Sequence, residues 1–248
     1  MNKLYSSILQ KKAENRKQFA VLVDPDKVTS KQIINLAEAG TKAKIDFFFI
    51  GGSLLTNDNL ENTIKLIKQN TDIPVVLFPG NTMQISPFAD AILLLSLISG
   101  RNPEMLIGKH VIAAPYLKES RLEIIPTGYM IIDSGRPTTA SYMSNTFPIP
   151  ADKDDVAVCT AMAGEMLGLK IIYLDGGSGA RNPITESMIK SVRQSISVPL
   201  IVGGGICTPE KAILSCQAGA DLIVVGNAFE KSPGLIYEMT EAVHSSVN

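Results

Sequence analysis

Two glycine-rich turns lie near the C-terminus of this chain, and each directly follows a short apolar run typical of a β-strand. The first covers residues 203–205, after a run over 199–202, and the second covers 226–227, after a run over 221–225. Glycine has no Cβ, so its backbone N–H group can approach an anion closely, and a following helix directs its positive dipole end at the same point. The last two strand-to-helix junctions of a (β/α)8 barrel commonly bind phosphate in this way. The two turns therefore predict a binding site for a phosphorylated small molecule.

A third glycine-rich turn, over residues 176–179, follows a strand predicted over 170–174. Tyr173 and Asp175 are two residues apart, so on an extended strand both side chains lie on the same face. A carboxylate and a phenol beside a glycine-rich anion site favour hydroxyl binding or proton abstraction. A mobile loop is the alternative interpretation, but the expected proximity to the turns after strands seven and eight favours a functional role.

Two further polar residues follow the first two predicted strands and could bind a metal ion. Asp24 comes directly after the strand over 19–23, at the end where a (β/α)8 barrel carries its active site. Mg²⁺ needs only one or two carboxylates in addition to substrate phosphate oxygens, so Asp24 could bind it. An Asp-Pro-Asp sequence is equally ordinary in a solvated turn, and position alone favours neither interpretation. Ser53, after the strand over 46–50, could face the same metal, although helix capping is the simpler role for a serine there.

The elements that would position these residues are eight short apolar runs that alternate with segments of helical periodicity. The predicted strands cover residues 19–23, 46–50, 74–78, 90–95, 128–133, 170–174, 199–202 and 221–225. The predicted helices cover 30–39, 58–69, 152–167, 185–195, 208–218 and a last segment that ends near 243. Consecutive apolar residues within each strand indicate burial on both faces, as in a parallel sheet. The pattern predicts an α/β fold, a single modified (β/α)8 TIM barrel over residues 1–248.

Two connections depart from the regular alternation of strand and helix. Residues 79–89, between strands three and four, contain two prolines and one glycine and are too short for the usual helix, so a loop is expected there. Strands four and five are separated by more than 30 residues that include Pro103, Pro115 and Pro126. Long insertions usually line or cover a substrate site, and this one is expected to do so.

The composition excludes several classes of protein. The formal net charge is −1, from 23 basic and 24 acidic residues, so the chain has no overall basic field for nucleic acid. No apolar run has the roughly 20 residues that a transmembrane helix needs, and the N-terminal segment has no signal-peptide core. The three cysteines fit no zinc-binding spacing and no disulfide framework, which favours a reduced cytoplasmic protein. His110 and His244 form no recognisable site motif and are expected to be structural or exposed.

Several ordered motifs together resemble the geranylgeranylglyceryl phosphate synthase family and its heptaprenylglyceryl relatives, in particular the larger archaeal and Bacteroidetes branch. They cover nearly the whole chain; each is weak by itself, whereas their combination in this order is specific. The motifs are Val23-Asp24-Pro25-Asp26-Lys27, Gly51-Gly52-Ser53, Phe78-Pro79-Gly80-Asn81, Arg101-Asn102-Pro103, Pro126-Thr127-Gly128-Tyr129, Pro148-Ile149-Pro150 with Lys153, the segment 173–180, Gly203-Gly204-Gly205-Ile206 and Val225-Gly226-Asn227-Ala228. The resemblance implies a Mg²⁺-dependent prenyltransferase on a modified barrel. One departure is Asp175, where the family usually has Glu; the shorter side chain keeps the charge and withdraws it by one methylene.

The resemblance also implies a set of site residues. Asp24 and Ser53 would hold Mg²⁺ against the diphosphate of a polyprenyl donor, and Asp175 and Tyr173 would be catalytic. The residues expected to bind sn-glycerol 1-phosphate are Tyr173, Leu174, Asp175, Gly176, Gly177, Ser178, Gly179, Gly203, Gly204, Gly226 and Asn227. The loop over 79–89 would leave a groove for the prenyl tail. The protein would be a homo-oligomer, either a dimer or a hexamer.

The implied reaction joins the 3-hydroxyl group of sn-glycerol 1-phosphate to geranylgeranyl diphosphate, or to a related polyprenyl diphosphate, and gives an ether lipid precursor. No membrane anchor is visible, although the apolar donor could bring the enzyme into peripheral contact with a membrane. Another phosphate-binding barrel enzyme remains an alternative: a sugar-phosphate isomerase with Asp24 and Asp175 as acid and base, or a lyase with Lys27 as a Schiff-base residue. A non-catalytic phosphate-binding scaffold is a third possibility, but it would keep the glycines and lose the acids.

Overall fold

The computed structural model describes residues 3–226, 229 and 234–246. Its parallel strands form a closed barrel in which each strand pairs with the next and β8 pairs with β1. The strands are β1 (Gln18–Val23), β2 (Phe47–Ile50), β3 (Val75–Leu77), β4 (Ala91–Leu97), β5 (Glu123–Ile131), β6 (Ile171–Asp175), β7 (Leu200–Gly203) and β8 (Leu222–Val225). The helices are α1 (Lys3–Ala13), α2 (Ser30–Ala43), α3 (Leu60–Asn70), α4 (Lys109–Ser120), α5 (Thr139–Ser144), α6 (Asp154–Met166), α7 (Glu186–Ser195), α8 (Pro209–Gln217) and α9 (Leu235–Ser245), with a π-helical turn (Glu104–Gly108) directly before α4. The predicted α/β barrel fold is confirmed.

One difference from the predicted elements concerns β5, which begins at Glu123 rather than at residue 128. Pro126 lies inside this strand, and its carbonyl oxygen accepts a hydrogen bond from the Lys170 N–H group. Because proline cannot donate a ladder hydrogen bond, it argues against a strand in sequence. The predicted strand therefore begins after Pro126, which is too late. The prediction of more than 30 residues between strands four and five is therefore wrong. The connection covers residues 98–122 and carries the π-helical turn and α4, which tolerates Pro115 inside it.

The connection from β3 to β4 is a loop, as predicted. No helix occurs in residues 78–90, all of which the structure describes. Gln84 ties this loop to the end of β2, because its Nε2 donates to the Gly52 carbonyl oxygen at 2.8 Å and its Oε1 accepts from the Gly80 N–H group at 3.2 Å. The connection from β3 to β4 is therefore held against the end of β2, and residues 78–82 and 85 line the cavity at the mouth of the barrel.

Alternation of side chains along the strands divides the core into two layers. Phe49 and Tyr173 face the barrel interior, whereas Leu174 packs between the strands and the helices. The sequence pattern makes no prediction for α1, which closes the N-terminal end of the barrel. The N–H groups of its first turn, at Leu4 and Tyr5, each donate to the Glu123 carboxylate at 2.8 Å, which satisfies donors that a helix leaves unpaired. The end of the barrel opposite the predicted site is thereby sealed.

The outer helices begin at well-defined caps. The Thr29 side chain accepts a hydrogen bond from the Gln32 N–H group at the start of α2, and the Gln32 side chain accepts one from the Thr29 N–H group in return. Thr208 caps α8 directly before Pro209. Among the described residues, no helix combines the length and the apolar character that crossing a membrane requires.

Candidate active site

A cavity of about 910 Å³ lies at the C-terminal end of the barrel, where the predicted glycine turns and both predicted metal ligands are found. The predicted site residues that line it are Asp24, Ser53, Tyr173, Asp175, Gly177, Ser178, Gly179, Gly204 and Gly226. Behind this lining, the Gly176 N–H group donates to the Gly203 carbonyl oxygen at 3.0 Å. The Leu174 side chain is buried on the opposite face of β6, so it does not reach the cavity. Asn227 lies outside the described residues.

Asp175 is the last residue of β6, and its side chain faces the cavity although only 6% of the residue is exposed. One carboxylate oxygen accepts a hydrogen bond from the Tyr129 hydroxyl at 2.6 Å, and the other accepts one from the Gly177 N–H group at 2.7 Å. Burial raises the pKa of Asp175 above its ordinary value, and the two hydrogen bonds partly oppose this because they favour the charged form. A carboxylate with a raised pKa is a stronger proton acceptor, so this group suits general-base chemistry.

Three aromatic rings pack beside Asp175. Phe78 stacks on Tyr173 with ring centroids 5.2 Å apart, and Tyr129 meets the two rings edge-on at 5.7 Å and 5.6 Å. Burial, followed by the nearby Asp175 charge, raises the pKa of both tyrosines well above the ordinary value, so both phenols stay protonated. Sequence reasoning missed Tyr129 as a site residue. Tyr129 precedes the end of β5 at Ile131 by two residues, as Tyr173 precedes Asp175, but the predicted end of strand five at residue 133 hides this correspondence.

The loops after β6 and β7 contact each other through glycine backbone. Gly177 and Gly204 have φ angles of +83° and +81°, which favour glycine. A Cβ on Gly204 would lie 2.7 Å from the Gly176 nitrogen and 2.8 Å from the Gly177 nitrogen, so no side chain fits between the two loops. The Gly176 and Gly177 N–H groups themselves donate to the Gly203 carbonyl oxygen and to the Asp175 carboxylate. Two glycine loops packed in this way leave a concave backbone surface that an anion can approach. We call residues 176–179, 203–205 and 226 the glycine cradle.

Asp24 and Ser53 follow β1 and β2 and line the same cavity. The Asp24 carboxylate pairs with the Lys27 ammonium at 2.7 Å and accepts a hydrogen bond from the Asp26 N–H group at 3.1 Å. A Cβ on Gly52 would lie 3.3 Å from Asp24 Oδ1, so the carboxylate lies against the backbone that carries Ser53. One carboxylate and one hydroxyl fit the oxygen preference of Mg²⁺ when substrate phosphate and water complete its coordination. In the described part of the chain, no three His, Cys, Asp or Glu side chains group together as metal ligands, so a metal here would depend on the substrate.

An apolar groove extends the cavity along β4 and α4. Its lining residues are Ile85 of the loop after β3, Leu93 and Leu95 of β4, Met105 of the π-helical turn, and Ala113 and Leu117 of α4. The prediction that the segment before β5 lines the site is therefore confirmed, although its predicted length is wrong. The groove has the apolar character that a prenyl chain requires.

Two arginines that no sequence motif singled out also line the cavity. Arg136 belongs to the connection between β5 and α5, and Arg181 follows the glycine cradle. Neither position stands out in the sequence, because the path of these connections depends on contacts between loops that are distant in the chain.

The PcrB family model matches residues 11–245 of this chain. A protein from Chitinophaga pinensis named geranylgeranylglyceryl phosphate synthase is 59% identical over 99% of this chain and 97% of its own length. A protein of the same name from Spirosoma linguale is 55% identical over 94% of this chain and 93% of its own length. The crystal structure of (S)-3-O-geranylgeranylglyceryl phosphate synthase from Thermoplasma acidophilum in complex with sn-glycerol-1-phosphate matches with a TM-score of 0.92 and 34% identity, covering 98% of this chain and 99% of that chain. This chain therefore belongs to the PcrB family, and the resemblance to geranylgeranylglyceryl phosphate synthases that its motifs predict is confirmed.

Proposed function

We propose that this chain is a prenyltransferase that joins the 3-hydroxyl group of sn-glycerol 1-phosphate to geranylgeranyl diphosphate or a related polyprenyl diphosphate. The products are diphosphate and a prenylglyceryl phosphate, a precursor of ether lipids. One observation carries the proposal: a single cavity is lined by most of the glycine cradle, by the buried Asp175 carboxylate and by the apolar groove. The names of the relatives support the choice of reaction.

The acceptor phosphate is proposed to bind the glycine cradle. The residues proposed to contact sn-glycerol 1-phosphate are Tyr173, Leu174 through its backbone, Asp175, Gly176, Gly177, Ser178, Gly179, Gly203, Gly204, Gly226 and Asn227. The positive φ angles of Gly177 and Gly204 support this placement, because they bring two loops together without intervening side chains. A phosphate held there would fix the position of the glycerol hydroxyl groups, and such positioning contributes much of the rate in reactions of this kind.

Asp175 is proposed to accept the proton of the 3-hydroxyl group. The hydroxyl oxygen bonds to the first carbon of the prenyl chain, the bond between that carbon and the diphosphate oxygen breaks, and the diphosphate leaves with the electron pair. An allylic carbon ionises readily, so strong activation of the hydroxyl group is not required and a carboxylate with a raised pKa is a sufficient base. Tyr173 is proposed to orient the acceptor, since its hydroxyl lies 2.7 Å from the place of a Cβ on Gly203, at the edge of the cradle.

Mg²⁺ is the proposed cofactor, held by Asp24 and Ser53 together with oxygens of the donor diphosphate. When bound, it would neutralise charge on the leaving diphosphate. The Lys27 ammonium, 2.7 Å from Asp24, adds a second positive charge beside the same position. Lys27 is a poor candidate for a Schiff-base lysine: its side chain is 47% exposed and ion-paired, whereas such lysines are activated by desolvation or by a neighbouring cation.

The remaining proposals concern the setting of the enzyme. The chain is proposed to be one barrel domain over residues 1–248 and to assemble as a homo-oligomer, a dimer or a hexamer, as the family resemblance implies. A cytoplasmic location fits the free thiols of Cys159, Cys207 and Cys216. The apolar donor would allow peripheral contact with a membrane, and no nucleic acid partner is proposed because the net charge is −1.

The assay that tests this function incubates the purified protein with sn-glycerol 1-phosphate and radiolabelled geranylgeranyl diphosphate, with Mg²⁺ or with EDTA. We expect a labelled glyceryl ether phosphate in the presence of Mg²⁺ and none in the presence of EDTA. Absence of a labelled product with geranylgeranyl and with longer donors would contradict the proposal. Conversion of a sugar phosphate without any prenyl donor would instead identify an isomerase or a lyase.

A further inference from the structure

Arg136 reaches from the loop after β5 to the loop after β6. The residue lies in the connection between β5 and α5, yet its Nη2 atom is 2.5 Å from the place that a Cβ on Gly179 would occupy. Gly179 belongs to the glycine cradle and has a φ angle of +75°. The guanidinium group therefore lies against the backbone of the cradle, and both residues line the cavity.

The charge of Arg136 has no acidic partner in the described chain. Within residues 3–226, 229 and 234–246, no carboxylate oxygen lies within 4.0 Å of its guanidinium group. Lys27, a cation elsewhere on the cavity wall, is by contrast paired with Asp24 at 2.7 Å. An arginine without an internal partner beside an anion site is suited to a phosphate ligand, because its planar fork can donate two parallel hydrogen bonds to phosphate oxygens.

The loop that carries Arg136 is held in place on both sides. A Cβ on Gly177 would lie 2.8–2.9 Å from the side chain of Thr138, so the loop packs closely on the cradle two residues after the arginine. Two residues before it, the Ser134 carbonyl oxygen accepts a hydrogen bond from the Asn182 N–H group at 3.1 Å. A cation on an ordered loop loses less conformational freedom when a ligand binds than one on a mobile loop.

From this geometry we propose that Arg136 binds the phosphate group of sn-glycerol 1-phosphate and sets the preference for phosphorylated over unphosphorylated glycerol. The assignment rests on the prenyl-transfer function proposed above. The donor diphosphate offers similar chemistry, but Asp24 and Ser53 follow β1 and β2, whereas Arg136 contacts the loop after β6. The acceptor phosphate is therefore the ligand, and Arg136 is a specificity residue that takes no part in proton transfer.

Arg136→Met tests this role, because it removes the charge and keeps much of the side-chain length. We expect the KM for sn-glycerol 1-phosphate to rise about tenfold or more, as for loss of a charge-assisted hydrogen bond, with little change in kcat or in the KM for geranylgeranyl diphosphate. Prenylation of glycerol, which has no phosphate, should proceed at the same rate in both proteins. Arg136→Lys should restore part of the loss, since it keeps the charge without the planar fork.

Arg121→Met is the matched control. Arg121 follows α4 at the opposite end of the barrel and does not line the cavity, so its KM values should equal those of the unmodified protein. Thermal stabilisation by sn-glycerol 1-phosphate without donor gives a readout besides activity, and it should weaken only in the Arg136 variant.

Three outcomes are distinguishable. An unchanged KM for sn-glycerol 1-phosphate in an active Arg136→Met protein would overturn the assignment. A raised KM for the prenyl donor alone would overturn it in favour of the donor diphosphate. An unmodified protein that transfers no prenyl group would overturn the proposed function and not this assignment in particular, and phosphate-dependent thermal stabilisation would then still report on Arg136.

Discussion

Replacing Tyr129 by Phe removes the hydroxyl group that donates to Asp175 at 2.6 Å and leaves the packing of the ring nearly unchanged. Asp175 is only 6% exposed, so water is a poor substitute for this donor. A hydrogen bond to a charged group contributes about 1.5–3 kcal/mol, and each 1.4 kcal/mol is about a factor of ten. The ionised form of Asp175 should therefore become about 10- to 100-fold less favourable relative to the protonated form.

The assay is the pH profile of kcat/KM for prenyl transfer. A base must be ionised, so kcat/KM rises with pH through the pKa of Asp175 and then levels off. Burial already raises this pKa, and the Tyr129 hydrogen bond is the first of the two causes that lower it. Loss of that bond moves the acid limb of the profile to higher pH, while the plateau changes less. Tyr5→Phe is a matched control, because the Tyr5 hydroxyl donates to the Lys170 carbonyl oxygen at the other end of the barrel.

The same change has a consequence for stability, and its sign follows from the raised pKa of Asp175. The folded state favours the protonated carboxyl group, so this stabilisation is complete below the unfolded-state pKa and is lost as the pH rises through the folded-state pKa. Without the Tyr129 hydrogen bond the folded-state pKa of Asp175 rises further, so Tyr129→Phe loses more of this stabilisation as the pH rises. The Tm difference from the unmodified protein should therefore be greater at about pH 8 than at about pH 5. A folded Tyr129→Phe protein whose acid limb stays at the original pH would refute the role of Asp175 as the base.

Three further substitutions probe the rest of the cavity. Asp24→Ala should reduce kcat by about 100-fold or more by removing the one carboxylate proposed to hold Mg²⁺, and full activity in a Mg²⁺ titration would contradict that role. Gly204→Ala should raise the KM for sn-glycerol 1-phosphate or lower the Tm, because its Cβ would lie 2.7 Å from the Gly176 nitrogen at a φ of +81°; unchanged steady-state kinetics and an unchanged melting curve would show that the cradle backbone is not needed in this form. Asp175→Glu should retain or raise activity if the Glu usual in the family reaches the hydroxyl better, whereas an inactive but folded variant would mean that the site is shaped around Asp.

Local patterns predict most of the barrel, because most strands are buried on both faces and consist of a continuous apolar run. The runs at β2 and β8 are of this kind, and their predicted limits differ from the observed ones by a single residue at one end. The pattern fails at β5, where Pro126, Thr127 and Gly128 interrupt the apolar run, and at α1, whose two buried residues are too few to make a clear apolar stripe. In both cases contacts with distant parts of the chain decide the structure.

The same distinction applies to the candidate site. Glycine turns and acids placed directly after strands are visible in the sequence, and the structure brings Asp24 and Asp175 into one cavity. The partner that tunes Asp175 is not visible, since Tyr129 lies 46 residues away on the neighbouring strand. Arg136 is equally hidden, because its contact with Gly179 depends on how two loops pack on each other. Residues that follow strands can be predicted from order alone, whereas residues that act across loops require the fold.

A crystal structure of the complex with sn-glycerol 1-phosphate would test the central claim most directly. We expect the phosphate group on the glycine cradle, within hydrogen-bond distance of the backbone N–H group of Gly204. The 3-hydroxyl oxygen should then lie within about 3.2 Å of an Asp175 carboxylate oxygen, the reach required of a general base. A phosphate bound beside Asp24 and Ser53 instead, or a 3-hydroxyl group directed away from Asp175, would contradict the proposed arrangement of acceptor and base.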